Sequence, residues 1–215
     1  MAKKATAEIS VKIRESKAEV KMRIDKAISK TLKKAAAKSK NQMQMQLRTI
    51  VSEAIKNSAT YQSILNGRLK IELGIPDGHN KLDDIMTEWI NSIVVDVNTS
   101  GMSKSFLIRV QGIDASYRDV LGVSGATQST EKGESLEWLR WLLLEGSNII
   151  IMDFEIGDGQ GRAGSNIMIE RRRGGWKVPE QFQGVAQDNF ITKALRESQS
   201  QIKAVIRNNF IKSVK

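Results

Sequence analysis

Helical spacing of apolar residues dominates the first quarter of the chain. Residues 5–57 contain no Gly or Pro and are rich in Ala, Lys, Glu, Gln and Met, which favours helix throughout. One apolar stripe runs from Ile9 to Leu32, and a denser one runs from Met43 to Ile55. The polar stretch "AKSKNQ" at 37–42 separates them. The pattern predicts either one long helix or two helices hinged at this stretch.

The remaining chain mixes helical and alternating patterns. Apolar spacing predicts helices over 81–91, within "SLEWLRWLLLEG" at 135–146, and over 187–213. Strand-like runs occupy 92–97, 104–111, 148–156 and 166–172, and turn residues separate the members of each pair. The predicted fold class is therefore α+β: an antiparallel sheet of about four strands with flanking helices, a long N-terminal helical arm and a long C-terminal helix. Residues 1–57 form the predicted arm, and residues 58–215 form the structural domain.

The positive charge of the chain is concentrated in the predicted arm. The whole chain carries a net charge of +10, and residues 1–40 hold 13 Lys and Arg against four carboxylates, a net +9. The first apolar stripe is thin and flanked by lysines, so it is expected to project from the body or to lie on a neighbouring subunit. A partly disordered arm with a solvated basic face is the alternative. A basic arm can bind phosphates or an acidic protein surface.

A glycine-rich stretch matches the residue pattern of a nucleotide-binding motif but not its structural context. Residues 159–164 read "GQGRAG" and follow the apolar run at 148–156, which matches G-x-G-x-x-G. A dinucleotide site requires a helix after the glycines, because the helix N-terminus binds the pyrophosphate. Here an alternating segment follows, with Ile167 and Ile169 on one face. The stretch is therefore interpreted as a long hairpin loop, and no cofactor is predicted.

Candidate catalytic and metal-binding groups each have a simpler explanation. Asp83 and Asp84 are adjacent and diverge on a helix, where the first turn favours carboxylates. Asp153, Glu155 and Asp158 could hold a hard cation, but a solvated strand face explains them as well. His79 is the only histidine and lies in a turn, so we interpret it as a surface residue. The chain has no cysteine, which excludes disulfides and thiolate catalysis.

Two further features leave alternatives open. Trp176 lies between Gly175 and "KVP", a setting that suits either an interface or the core. The run Arg171 to Arg173 suits nucleic-acid or carboxylate binding, and equally the protection of an edge strand. The longest apolar runs fall far below the roughly 20 residues that span a bilayer, so no membrane contact is predicted.

The C-terminal half carries a family resemblance. The segments "LEWLRWLLLEGSNIIIMDFEI", "GRAGSNIMI" and "GGWKVPEQFQGVAQDNFITKAL" resemble virion structural proteins of tailed bacteriophages, of the neck, head-tail connector or tail-completion kind. The likeness covers about residues 60–200 and rests on a W-x-V/R-V-P turn, an aromatic, a glycine, and D/N-N-F-x-T-x-A-L. The loop departs from the family: Gly161-Arg162-Ala163-Gly164 stands where relatives carry S/N-R-T-G, so a role that needs the threonine hydroxyl is in doubt.

The resemblance implies a non-enzymatic protein that assembles as a ring around the DNA path. Its partners would be further copies and the portal, connector or tail proteins of the same virion, and it would reside in the virion and, during assembly, in the host cytoplasm. The expected interface residues lie in the glycine-rich loop, the "GGWKVP" turn and the entry to the last helix: Gly161, Arg162, Gly164, Trp176, Pro179, Phe182, Asn189 and Phe190. The residues expected to contact nucleic acid or an acidic partner are Lys12, Arg14, Lys17, Lys21, Arg23, Lys30, Lys33 and Lys34.

Two functions from other classes are alternatives. The first is a DNA-binding protein that acts through its basic N-terminal helix, which would show affinity with a steep salt dependence. The second is a hydrolase or metal-dependent enzyme built on Asp153 and Glu155.

Overall fold

The computed structural model describes residues 15–75, 77–98, 107–112, 117–129, 135–158 and 166–214. Its helices are α1 (Lys17–Lys56), α2 (Ala59–Asn66), α3 (Arg68–Glu72), α4 (Gly78–Ser92), α5 (Arg118–Leu121), α6 (Trp138–Leu143), α7 (Phe190–Glu197) and α8 (Gln199–Val214). Its strands are β1 (Val94–Asn98), β2 (Leu107–Gln111), β3 (Gln128–Ser129), β4 (Ser135–Leu136), β5 (Ile151–Asp158) and β6 (Asn166–Trp176). Long helices at both ends and antiparallel strands confirm the α+β class.

The first stretch of the described chain is one uninterrupted helix. Of the two predicted arrangements, the structure has the single helix, α1, with no hinge at 37–42. Ser16 begins it, because its hydroxyl accepts from the amide of Glu19 while the Glu19 carboxylate accepts from the amide of Ser16. Forty residues give the helix a length of about 60 Å.

Only the second part of α1 belongs to the hydrophobic core. Met43, Leu47, Val51 and Ile55 are buried in one cluster with residues from beyond position 58. The expected division at residue 57 stays a prediction, but buried α1 side chains already begin at Ala35. We therefore use the name arm below for residues 17–34, which precede the first of these buried positions.

Helices α7 and α8 lie along the buried part of α1. Asn209 donates to the Gln46 side chain at 2.6 Å, which fixes α8 beside the middle of α1. The predicted helix over 187–213 begins later, at Phe190, because Asn189 caps it and residues 185–188 form a tight turn. It is also interrupted at Ser198, whose hydroxyl donates to the carbonyl of Ala194.

The first hairpin is attached to α1 through backbone contacts. The guanidinium of Arg48 donates to the carbonyls of Ile93 and Asn91 at 3.3 and 3.2 Å. The amide of Val95 donates to the Gln44 side chain at 3.3 Å. Strands β1 and β2 pair in register from Val94 opposite Gln111 to Asn98 opposite Leu107.

The predicted single sheet of about four strands does not form among the described residues. The strands there pair as three separate two-stranded antiparallel ladders, β1 with β2, β3 with β4, and β5 with β6. Each strand pairs within its own hairpin. Much of the hydrophobic core comes instead from side chains of helices, among them α1, α4 and α6. The prediction of two main hairpins was correct, but their union into one sheet was not.

Candidate assembly surfaces

The arm exposes most of its side chains. Ile24 and Ile28 are 53% and 49% exposed, and Met22 is 65% exposed, whereas Val20 and Leu32 are half-buried. The denser stripe further along α1 is buried at Met43, Leu47, Val51 and Ile55, whereas the first stripe is open at Ile24 and Ile28. Large apolar side chains that stay open on a projecting helix mark a surface suited to a partner.

The arm is also basic. Residues 17–34 hold seven Lys and Arg against two carboxylates, which leaves a net charge of +5. Six of the predicted contact residues lie here with exposed side chains: Lys17, Lys21, Arg23, Lys30, Lys33 and Lys34. Arg23 forms an ion pair with Glu15. The other two predicted contact residues, Lys12 and Arg14, lie outside the described residues.

Trp176 lies in the core, which matches the second of its two predicted roles. Its side chain is 8% exposed, and its indole packs edge-on against Trp141 with 6.3 Å between ring centroids. The indole N–H donates to a carboxylate oxygen of Glu72 at 3.4 Å. Glu72 is itself buried and forms an ion pair with Arg68. A tryptophan covered in this way has little surface to offer a neighbouring subunit.

Asn189 is the centre of a buried polar cluster. Its side-chain oxygen accepts from the amides of Ile191 and Thr192 at 3.1 Å each, which caps α7. Its side-chain nitrogen donates to the hydroxyl of Tyr117 at 2.8 Å and to the carbonyls of Val185 and Leu143 at 3.0 and 3.2 Å. Asn189 is fully buried and its side chain is occupied within one chain, and its expected interface role stays a prediction.

The neighbouring motif residues also pack inward. Phe190 is 6% exposed and meets Trp89 edge-on at 5.8 Å between centroids. Phe182 is half-buried against the core and Pro179 is half-buried beside it. The three loop residues expected at the interface, Gly161, Arg162 and Gly164, lie outside the described residues. Where the structure describes it, the "WKVP…NF" segment joins parts of one chain.

Sequence reasoning missed the partners of these residues. Tyr117 has a left-handed backbone with φ of 53°, uncommon for a residue with a side chain, and burial raises the pKa of its hydroxyl. The hydrogen bond from Asn189 lowers that pKa, but its effect is smaller than the effect of burial. The sequence does carry one signal, the spacing Asn189-x-x-Thr192. This capping pattern indicates a helix that begins at Phe190, as it does in the structure.

Several carboxylates lie at the N-cap of α4, along α4 and on α5. The predicted helix start at 81 was late: α4 begins at Gly78, so Asp83 and Asp84 lie beyond its first turn and do not cap it. His79 is exposed, as predicted, and its Nδ1 lies 3.3 Å from Asp83. Asp77, Asp84, Glu88 and Asp119 form no ion pair within the described part of the chain, and three of them are exposed while Glu88 is half-buried.

A cleft adjoins two of these carboxylates. It has a volume of about 210 Å³ and is lined by Glu88, Ser92, Gln111, Tyr117, Asp119 and Val120 together with Gly112 and Arg118. The side chains of Tyr117 and Val120 therefore share the lining of the cleft with the carboxylates of Glu88 and Asp119 and with the guanidinium of Arg118.

No metal site is found where side chains are described. Within the described ranges, no group of three or more His, Cys, Asp or Glu residues could hold an ion. The candidates Asp153, Glu155 and Asp158 lie in β5, and their side chains fall outside what the structure describes, as do those of Arg171 to Arg173 in β6.

Comparisons of the chain with family models, curated proteins and solved structures found no match. None of the helices that the structure describes is long and apolar enough to cross a membrane.

Proposed function

We propose that the protein is a non-enzymatic virion structural protein of the bacteriophage neck or tail, of the head-tail connector or tail-completion kind. In this role it assembles into a ring around the DNA path and docks adjacent rings. The sequence likeness over residues 60–200 supplies the class, and the arm supplies the means of assembly.

The observation that carries the proposal is the arm. It extends for 18 residues, about 27 Å, beyond the first buried positions of α1. In proteins, most of the stability of a helix comes from the packing of its apolar face. Here that face remains open at Ile24 and Ile28. A further copy or an adjacent ring would cover it.

Sedimentation of the full chain tests the proposal. We expect a discrete species of ring size at physiological salt, and loss of that species in a chain that begins at Lys34. Such a chain keeps Ala35 and every buried residue after it, so circular dichroism can verify that the body still folds. A full chain that stays monomeric at both low and physiological salt would contradict ring formation.

DNA binding through the arm is the second candidate function. The exposed cations Lys30, Lys33 and Lys34 favour it, because each phosphate that they neutralise releases counterions. If the arm binds DNA, the triple change of these lysines to Gln should lower the magnitude of the log-log salt slope by about 2.7. A slope that does not change would show that these lysines do not contact phosphates.

A further inference from the structure

We propose that the arm of one copy docks on α4 of a second copy, with Lys17 and Lys21 of the first facing Asp84 and Glu88 of the second. This inference rests on the assembly proposed above and names the contact that would build it. The proposed interface combines these pairs of opposite charge with an apolar contact made by Ile24.

The donor face lies on one side of the arm. Lys17, Lys21, Ile24 and Ile28 follow the spacing i, i+4, i+7, i+11, which places them on one helix face. All four side chains are exposed. The face therefore presents two cations followed by two apolar side chains.

The acceptor face lies on α4 with the same spacing. Asp84 and Glu88 of α4 are four residues apart and lie on one helix face, as Lys17 and Lys21 do, and Asp119 of α5 lines the same cleft as Glu88. These carboxylates have no ion pair in the described part of their own chain. The exposed cations of the arm and these carboxylates are thus complementary in charge.

The two faces also match in length. Lys17 and Lys21 are separated by four residues, about 6 Å along the helix, as are Asp84 and Glu88. When these pairs are aligned, Ile24 falls at the level of Asn91 and Ser92. Ser92 lines the cleft of about 210 Å³, whose walls include Tyr117 and Val120. Ile24 can then lie over this cleft while Lys21 meets Glu88, one of the two carboxylates that line it.

The contact must join two copies, because the arm cannot reach α4 of its own chain. Arg48 of α1 lies against Asn91 near the end of α4 at 3.2 Å. Lys17 lies 31 residues before Arg48 on the same helix, about 46 Å away, whereas α4 is only about 22 Å long. A contact in which different surfaces of two identical copies meet repeats from copy to copy, and it generates a ring when the rotation closes.

Paired charge reversals test this contact. One variant carries Lys17→Glu and Lys21→Glu, and the other carries Asp84→Lys and Glu88→Lys. Each alone places like charges across the contact, so we expect each to weaken self-association by about tenfold or more. In an equal mixture, each contact between the two different variants has opposite charges again, so assemblies in which the variants alternate should form, as a ring of even copy number allows. Mass photometry or sedimentation measures the species formed.

Matched controls separate this effect from net charge and from folding. Lys26→Glu with Lys30→Glu reverses two charges on the opposite side of the arm, and Glu180→Lys with Glu197→Lys reverses two exposed carboxylates outside α4. Both controls should assemble normally. Thermal unfolding of each variant identifies any that fails to fold, and Ile24→Ser then serves as an uncharged second probe of the same contact.

The outcomes distinguish this inference from the proposed function. A wild-type ring that both reversals leave intact overturns the arm contact and leaves ring assembly standing. A wild-type dimer that the reversals dissociate and the mixture restores supports the contact and contradicts the ring. A wild-type chain that is monomeric at every concentration contradicts both.

Discussion

The side-chain amide of Asn189 donates to the hydroxyl oxygen of Tyr117 at 2.8 Å, across 72 residues of sequence. The Tyr117 hydroxyl in turn lies 3.3 Å from the carbonyl of Ala186, to which it donates. These bonds join the start of α5 to the turn before α7. Removal of either partner should destabilise the fold, because the other is then left in the interior as a polar group without this hydrogen bond.

Replacement of Asn189 should show the size of this effect. Asn189→Ala removes both the cap of α7 and the donor to the hydroxyl of Tyr117 and the carbonyls of Leu143 and Val185, so we expect a loss of about 2–4 kcal/mol in the free energy of unfolding. Asn189→Ser keeps an oxygen that can cap α7 and should lose less. Urea unfolding of the wild type and of the two variants measures the differences in unfolding free energy. Equal losses in the two variants would show that the cap contributes little.

Alkaline pH should destabilise the protein through Tyr117. Burial raises the pKa of this hydroxyl above its ordinary value of about 10, so the folded state keeps a proton that the unfolded state releases. The stabilisation is fully present below pH 10 and is lost as pH rises through the folded-state pKa. Tyr117→Phe should therefore flatten the fall in unfolding free energy above about pH 10.

Tyr61 is the internal comparison for that experiment. Burial, and secondly the charge of Asp83, raise the pKa of its hydroxyl too, so Tyr61→Phe should flatten part of the same fall. If neither variant changes the slope, the alkaline loss of stability comes from other groups.

Gly184 should tolerate no side chain. A Cβ at this position would lie 2.1 Å from the carbonyl oxygen of Leu142 and 2.6 Å from the Cβ of Asn189, so the backbone itself would have to move. We expect Gly184→Ala to cost about 1–3 kcal/mol or more in thermal or urea unfolding. Gly112→Ala is the matched control, because no described atom lies within 4 Å of its added Cβ. Similar effects of both substitutions would contradict the close contact.

The local elements could be predicted from the sequence, but their assembly could not. The stripe from Met43 to Ile55 identified the large buried side chains of α1, because a helix face that packs inward is apolar, but not the small buried residues Ala35, Ala36 and Ser39. Alternation likewise identified the strands of both main hairpins. Whether two hairpins join depends on which groups lie between them in space, and no local pattern encodes that. The same limit hid the bond between Trp176 and Glu72, which are 104 residues apart.

The last prediction concerns the point at which α1 leaves the body. Ile24→Ser with Ile28→Ser changes side chains that are about half exposed, so the unfolding free energy of the body should change by no more than about 0.5 kcal/mol. Leu47→Ala changes a fully buried side chain on the same helix and should cost about 2–5 kcal/mol. Thermal unfolding below the concentration at which the chain self-associates measures both. A large loss in the double variant would mean that Ile24 and Ile28 are covered within one chain, and that the arm is part of the body rather than a surface for a partner.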